Sequence, residues 1–166
     1  YANKAFEKAT RGDYQGAIAD FNRALEIDPK NAFLYYIRGY TMNLLGDYQG
    51  AIADFNRVIE IDPKNVQLYD NDNVYHERGV AKSNSKDHEG AIIDFNRALE
   101  IDPKYVDAYY NRGKAKSELE DYQGAIADYT KAIEINPQYV NAYYGRGTIK
   151  GRNLEDYQGA ISDFNR

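Results

Sequence analysis

The residues best suited to chemistry in this chain are few and far apart. The sequence of 166 residues contains two histidines, His76 and His88, and no cysteine. The lack of cysteine excludes disulfides, thiolate catalysis and metal sites built on thiolates. Neither histidine belongs to a Ser/His/Asp spacing or to a carboxylate pair that would indicate nucleophilic or acid–base catalysis. We therefore expect no catalytic residues, no cofactor and a protein that is not itself an enzyme.

One acidic cluster has the oxygen ligands that a cation would need. It consists of Asp70-Asn71-Asp72-Asn73. The glycine and the closing glutamate of a calcium-binding loop are absent from it, so we expect no metal site. We expect instead that Asp70 or Asp72 caps a helix that restarts here, and that Tyr69 packs beneath it.

Two series of charged residues recur along the chain and could bind a ligand or each other. We expect them to pair across two helices, within or between repeats, as structural ion pairs. The alternative is an anion-binding ladder, because arginine can fork onto a carboxylate. The two series are Arg38, Arg78, Arg112 and Arg146, and Asp20, Asp54, Asp94, Asp128 and Asp163.

These charged residues belong to an internal repeat with a period of 34 residues. Segments of the type Asp-Tyr-Gln-Gly-Ala-Ile begin at intervals of 34, 40, 34 and 35 residues, and the four prolines and a set of glycines follow the same period. The longer intervals indicate insertions of six residues between Pro63 and Gly79 and of one residue between Gly147 and Asp156. The segments start at Asp13, Asp47, Asp87, Asp121 and Asp156.

Each repeat is predicted to contain two helices. Asp13 is a good N-cap for the second helix, and Asp28-Pro29 ends it because a residue before proline is disfavoured in the α region. The next helix is predicted over 32–45, and Gly46 ends it. The second helix has an apolar stripe at helical spacing, made by Ala17, Ile18, Phe21, Ala24, Leu25 and Ile27.

Two sets of glycines accompany these helices. Gly39, with Ala51, is expected where the two helices of a repeat cross most closely, since a larger side chain would separate them. The second set lies in the first turn of each second helix and has no packing role that the sequence reveals. It consists of Gly16, Gly50, Gly90, Gly124 and Gly159.

The pattern resembles the tetratricopeptide repeat (TPR) family, whose consensus is W-x₂-L-G-x₂-Y, then A-x₃-F, then P. The second repeat has Tyr35-x₂-Arg38-Gly39, then Ala51-x₃-Phe55, then Pro63, with Tyr in place of Trp and Arg in place of Leu. The resemblance covers the whole chain. It implies an all-α fold, a right-handed α-solenoid of antiparallel helix pairs, as one domain over 1–166. The repeats would be 1–31, 32–65, 66–105, 106–139 and 140–166, the first and last incomplete.

The resemblance also implies a function, a protein–protein interaction scaffold whose first helices line a concave groove for a peptide or a partner helix. The groove positions differ among the repeats, either because they carry specificity or through drift. The expected peptide-binding residues are Asn3, Phe6, Tyr36, Tyr40, His76, Tyr110, Asn111, Lys114, Tyr144 and Thr148. Further groove-facing positions are Phe33, Ile37, Asn73, Glu77, Val80, Asp107 and Asn141.

Two details of this binding surface stay open. Tyr36, Tyr110 and Tyr144, with His76 at the equivalent place, could grip proline, aliphatic or arginine side chains, or could pack against the next repeat. Asn111, and also Asn3, could hold a ligand backbone through the side-chain amide. The clamp with which chaperone-binding members of the family hold an acidic tail is not expected, because only Asn111 matches it.

Composition limits the partners. The net charge is −5 and there is no basic run, so we expect no nucleic acid partner. No apolar stretch approaches the about 20 residues that span a bilayer, so we expect no membrane partner. Because neither end shows a polar cap, the chain is either a piece of a longer protein or a homo-oligomer that stacks end to end. Self-association and a role as the substrate-recruiting arm of a larger enzyme are the alternative functions.

Overall fold

The computed structural model describes residues 1–63, 67–68 and 72–166. The described residues form ten α-helices and one pair of very short strands. The strands, β1 (Gln67–Leu68) and β2 (Asp72–Asn73), pair antiparallel. The helices are α1 (Ala2–Thr10), α2 (Tyr14–Ile27), α3 (Ala32–Leu45), α4 (Tyr48–Ile61), α5 (Val74–Asn84), α6 (His88–Ile101), α7 (Val106–Glu118), α8 (Tyr122–Ile135), α9 (Val140–Asn153) and α10 (Tyr157–Phe164).

The chain forms two compact units. The N-terminal unit, Tyr1–Lys86, contains α1 to α5, and the C-terminal unit, Asp87–Arg166, contains α6 to α10. In each repeat the odd-numbered helix is the first helix and the even-numbered helix is the second. Among the described residues, no helix combines the length and the hydrophobicity needed to cross a bilayer.

The helix boundaries follow the predicted capping residues. Asp13 precedes α2, and α2 ends at Ile27, immediately before Asp28 and Pro29. Helix α3 covers 32–45 as predicted, and Gly46 follows it with φ of +90°, the left-handed conformation that glycine adopts without strain.

The aspartate caps explain the second set of glycines. The Asp13 carboxylate accepts a hydrogen bond of 2.9 Å from the Gly16 amide, and each of the other four second helices begins with the same bond. A Cβ atom added to Gly16 would overlap the Asp13 carboxylate. Glycine at this place therefore lets the capping carboxylate fold closely over the first turn.

The cores are built around the aromatic residue of each second helix. In the N-terminal unit, Phe21 packs with Leu34 of the following first helix, and Phe55 packs with Val74 in the same way. A Cβ atom on Gly39 would lie 3.2 Å from a Phe55 ring carbon and 3.3 Å from the Ala51 carbonyl oxygen. The close crossing predicted at Gly39 is confirmed.

The insertion differs from its prediction. Asp72 lies in β2, where it pairs with Leu68, and the N-cap of α5 is Asn73. The Asn73 side chain accepts a hydrogen bond of 2.9 Å from the Tyr75 amide. The prediction that Asp72 caps this helix is wrong, because strand pairing extends the chain by one more residue before the helix starts. The expectations for Tyr69 and Asp70 lie outside the described residues.

Candidate functional site

An arginine on the first helix joins neighbouring second helices. Arg38 donates from Nε to Asp54 Oδ2 (2.7 Å) and from Nη2 to Asp54 Oδ1 (2.6 Å), a fork within one repeat. Its Nη1 donates to Asn22 Oδ1 of the preceding repeat (2.7 Å). The guanidinium lies 5.3 Å from the centre of the Tyr35 ring. We call this arrangement the arginine clasp.

The clasp recurs in the C-terminal unit. Arg112 forks onto Asp128 at 2.9 and 2.5 Å and reaches Asn96 at 2.7 Å. Arg146 forks onto Asp163 at 3.0 and 2.6 Å, and Thr130 accepts its remaining bond at 2.9 Å. The predicted pairing is confirmed at these arginines. All three nitrogens of each guanidinium are used inside the fold, which favours the structural interpretation over an anion-binding ladder.

The charges that surround the clasp differ between repeats. Lys150 adds a second cation 3.0 Å from Asp163, whereas the second repeat has Met42 at that place. Burial raises the pKa of Asp54 above its usual value, and the bond from Arg38 only partly opposes this. Burial also acts on Asp163, but its two cations together lower the pKa of that carboxyl. Lysines also lie against the equivalent carboxylates in the pairs Lys8–Asp20 and Lys116–Asp128.

An apolar groove opens in the N-terminal unit between the ends of α1, α2 and α3. Its volume is about 260 Å³. Tyr40 is 42% exposed and Leu44 is 52% exposed. We call it the N-terminal groove. It is lined by Phe6, Ala9, Thr10, Tyr14, Ile37, Tyr40, Thr41 and Leu44.

The groove presents almost no polar group to a ligand. The hydroxyl of Thr10 donates to the Glu7 carbonyl oxygen (2.9 Å), and that of Thr41 donates to the Ile37 carbonyl oxygen (2.7 Å). Phe6 is fixed at the groove because its ring stacks on Phe33 and meets Phe21 edge-on, at centroid distances of 5.9 and 5.5 Å. The surface therefore suits an apolar side chain.

The structure brings Phe6, Tyr40 and the further groove position Ile37 together but not the other predicted residues of this unit. Tyr36 is 3% exposed and packs against Phe55. His76 is buried with its Nδ1 3.0 Å from Glu77 Oε1. Asn3 is exposed on α1, outside the groove lining. Tyr36 therefore packs within its own repeat, against Phe55, and is not exposed to grip a ligand.

The C-terminal unit holds the remaining predicted residues on α7 and α9. Tyr110 is half-buried beside Tyr129 and Tyr139, and burial raises the pKa of its hydroxyl. Lys114 places its Nζ 5.9 Å from the centre of the Tyr110 ring. Asn111 is half-buried on the same helix.

On α9, Tyr144 is 66% exposed and its ring centre lies 5.8 Å from that of Phe164. Thr148 donates its hydroxyl hydrogen to the Tyr144 carbonyl oxygen at 2.8 Å.

Sequence reasoning missed several contributors to these surfaces. Leu44 lines the N-terminal groove, and the signal for it was an apolar Leu-Leu pair immediately before the helix-ending Gly46. Tyr139, just before α9, donates a hydrogen bond from its hydroxyl to Asp107 at the start of α7. Burial and this bond raise the pKa of Tyr139.

Among the described residues, no group of three or more acidic or histidine side chains is arranged to hold a metal ion.

Comparison with solved structures supports the fold. A crystal structure of MamA matches at 26% identity and a TM-score of 0.86, covering 99% of this chain and 92% of that one. A MamA structure from Desulfovibrio magneticus RS-1 matches at 21% identity and a TM-score of 0.87, covering 98% and 88%. YrrB, described as a TPR protein with an unusual peptide-binding site, matches at 19% identity and a TM-score of 0.76, covering 99% and 81%. The predicted all-α solenoid of antiparallel helix pairs is confirmed.

Family models match most of the sequence. Models described as tetratricopeptide repeat match residues 34–65 and 106–139, and a TPR repeat model matches residues 8–46 and 84–119. A comparison with curated proteins found no match. The repeat pattern, the paired helices and these models agree, and the chain belongs to the tetratricopeptide repeat family.

Proposed function

We propose that this chain is a protein-interaction scaffold that binds a peptide or a partner helix on its first helices and does not itself catalyse a reaction. The observation that carries the proposal is the N-terminal groove, an open apolar surface with its threonine hydroxyls already bonded to the backbone. The description of YrrB as a TPR protein with a peptide-binding site supports the same class of function.

An apolar side chain of the partner would enter between Phe6 and Tyr40 and cover Leu44. Burying that side chain contributes about 1.5–3 kcal/mol, and the aromatic rings offer wide contact area at low entropic cost. In the C-terminal unit, a second surface is proposed for the same kind of partner. It consists of Tyr110, Asn111, Lys114, Tyr144 and Thr148.

Two adjacent leucines provide a matched test. Leu44 lines the groove, whereas Leu45 is 42% exposed and is not part of the lining. Linear peptides would be selected from a display library on the full chain, and their affinities measured by calorimetry. We expect Leu44→Lys to weaken binding about tenfold or more, because it places a charge in an apolar site, while Leu45→Lys changes binding less than about twofold. Equal effects of the two variants would exclude the groove as the binding surface.

A second candidate function, self-association, is favoured by one observation. Five large apolar side chains on α9 and α10 are 52–67% exposed, although the equivalents of Phe164 in the N-terminal unit, Phe21 and Phe55, are fully buried. Ile161→Lys is expected to abolish any concentration-dependent increase in mass in sedimentation velocity. A wild-type chain that stays monomeric at high concentration would contradict this candidate. The five residues are Val140, Tyr144, Tyr157, Ile161 and Phe164.

A further inference from the structure

Two departures from the repeat pattern meet at a single contact in the C-terminal unit. The aromatic residue of the second helix is phenylalanine in every repeat but the fourth, where it is Tyr129. The next first helix has Gly145 at a position that holds a larger side chain in the second, third and fourth repeats. Those side chains are Ile37, Glu77 and Asn111.

The Tyr129 ring lies between two glycines. A Cβ atom on Gly113 of α7 would lie 2.8 Å from Tyr129 Cε1, and one on Gly145 of α9 would lie 2.8 Å from Tyr129 Cζ. Because Cζ carries the hydroxyl, Gly145 makes room for the oxygen-bearing end of the ring. The Phe21 core shows the usual arrangement, in which Ile37 packs against the cluster at the equivalent place.

The Tyr129 hydroxyl is a donor that the fold does not use. The residue is 3% exposed, and its hydroxyl forms no hydrogen bond with any residue that the structure describes. The hydroxyl oxygen is nevertheless not completely enclosed by the protein, so a ligand atom can reach it. Burial raises the pKa of Tyr129, which keeps the hydroxyl protonated and able to donate at neutral pH. A nearly buried donor without an acceptor costs stability unless something accepts its hydrogen.

The surroundings favour a main-chain acceptor. Gly145 is half-buried and has no side chain, so the backbone of a ligand can approach it closely. The Tyr110 ring, with its centre 5.8 Å from that of Tyr129, offers a flat surface beside the opening. Asn111 occupies on α7 the position that Gly145 occupies on α9, one repeat away.

We infer that Tyr129 and Gly145 form a polar notch that recognises a backbone carbonyl oxygen of an extended peptide bound across α7 and α9. The neutral hydroxyl donates to the carbonyl oxygen, and the glycine admits the peptide main chain. This inference rests on the proposed peptide-binding function and names a specificity-determining pair for the C-terminal unit.

The test uses a chain whose N-terminal groove is blocked. Linear peptides would be selected from a display library on the Leu44→Lys variant of this 166-residue chain, so that they bind outside that groove. Their affinities would then be measured with Tyr129→Phe added. Phenylalanine is the natural residue at the four equivalent positions, so the variant should fold, and its melting temperature checks this. Tyr122→Phe, in the same helix, is the matched control.

We expect Tyr129→Phe to lower the affinity for these peptides about three- to tenfold, the usual effect of one lost hydrogen bond. Tyr122→Phe should leave the affinity unchanged. Equal affinities for Tyr129→Phe and its parent would overturn the notch and leave the proposed function intact. The same holds if Leu44→Lys selects no peptide while the wild-type chain does. If neither chain selects a peptide, both proposals are overturned.

Discussion

Arg38 binds Asp54 of its own repeat through two parallel hydrogen bonds and uses its remaining nitrogen to bind Asn22 of the repeat before it. One side chain therefore fixes both the helix pair and its register on the preceding pair. The Asp54 side chain is 7% exposed and the Arg38 side chain 17% exposed. Charged hydrogen bonds at that depth are strong, and removing one partner leaves a buried charge uncompensated.

The clasp predicts unequal effects for equivalent arginines. Arg38→Met should lower the free energy of unfolding by about 3 kcal/mol, because the second repeat has no lysine to replace the lost charge. Arg112→Met should lower the free energy of unfolding by clearly less, because Lys116 remains 2.8 Å from Asp128 and still neutralises its charge. Urea denaturation of both variants tests this.

The control for these two variants is Arg57→Met. Arg57 forms an exposed pair with Glu60, and its loss should leave the free energy of unfolding nearly unchanged. If Arg38→Met and Arg57→Met lower the free energy of unfolding equally, the arginine clasp stabilises the fold no more than an exposed ion pair does.

Met42→Lys should lower the pKa of Asp54. In the wild type this pKa lies above the ordinary value of 3.8, so ionisation of Asp54 opposes folding, and stability falls as pH rises through the folded pKa. A lysine at 42 would supply the second cation that Lys150 gives Asp163. Carboxyl ¹³C shifts followed by NMR during a pH titration would measure the change.

Lys150→Met is the reciprocal variant. The pKa of Asp163 lies below 3.8, so this carboxylate stabilises the fold above that pH, and the contribution disappears as pH falls through the folded pKa. The variant should raise the pKa of Asp163 and shift acid unfolding to higher pH. An unchanged Asp163 titration would contradict the assigned role of Lys150.

The aspartate caps predict a simple pair of substitutions. Asp121→Ala should destabilise the chain by about 1 kcal/mol, because the Gly124 amide loses its acceptor at 3.0 Å. Asp121→Asn keeps a side-chain acceptor, so its free energy of unfolding should stay within a few tenths of a kcal/mol of the wild-type value. Thermal and urea unfolding would show whether the alanine variant alone is weakened. If both variants lose the same stability, charge rather than the cap is responsible.

Peptide binding in the N-terminal groove should be nearly independent of salt. Its lining is apolar, and screening acts on exposed charges. The affinity of a groove-binding peptide should change by less than about twofold between about 50 and 500 mM salt. A steep loss of affinity on adding salt would indicate that charged side chains outside the lining carry the binding.

The repeat pattern was sufficient to predict the helix pairs and the Arg–Asp pairing, because the same residue types recur at nearly the same spacing in Arg38–Asp54, Arg112–Asp128 and Arg146–Asp163. Side-chain exposure was less predictable. Tyr36 and Tyr40 both belong to α3, yet Tyr36 is buried against Phe55 while Tyr40 lines the groove. The two tyrosines lie one helical turn apart on the same helix. Their positions in the repeat do not show which neighbouring side chains cover each ring.

The departures from the pattern were the least predictable. The insertion replaces the expected aspartate cap by Asn73, because local strand pairing competes with helix capping. The Tyr129–Gly145 contact was visible in the sequence only as two separate changes, 16 residues apart. Their relation depends on the packing of α8 against α9, which periodicity does not specify.

The most direct test of the proposed function is an NMR shift map of this 166-residue chain with a selected peptide. If the first helices form the binding surface, the methyl signals of Ile37 and Leu44 and the ring signals of Phe6 and Tyr40 should move, while the Leu45 methyls stay in place. Shift changes confined to the outer faces of α2 and α4, with Ile37 and Leu44 unchanged, would contradict the account.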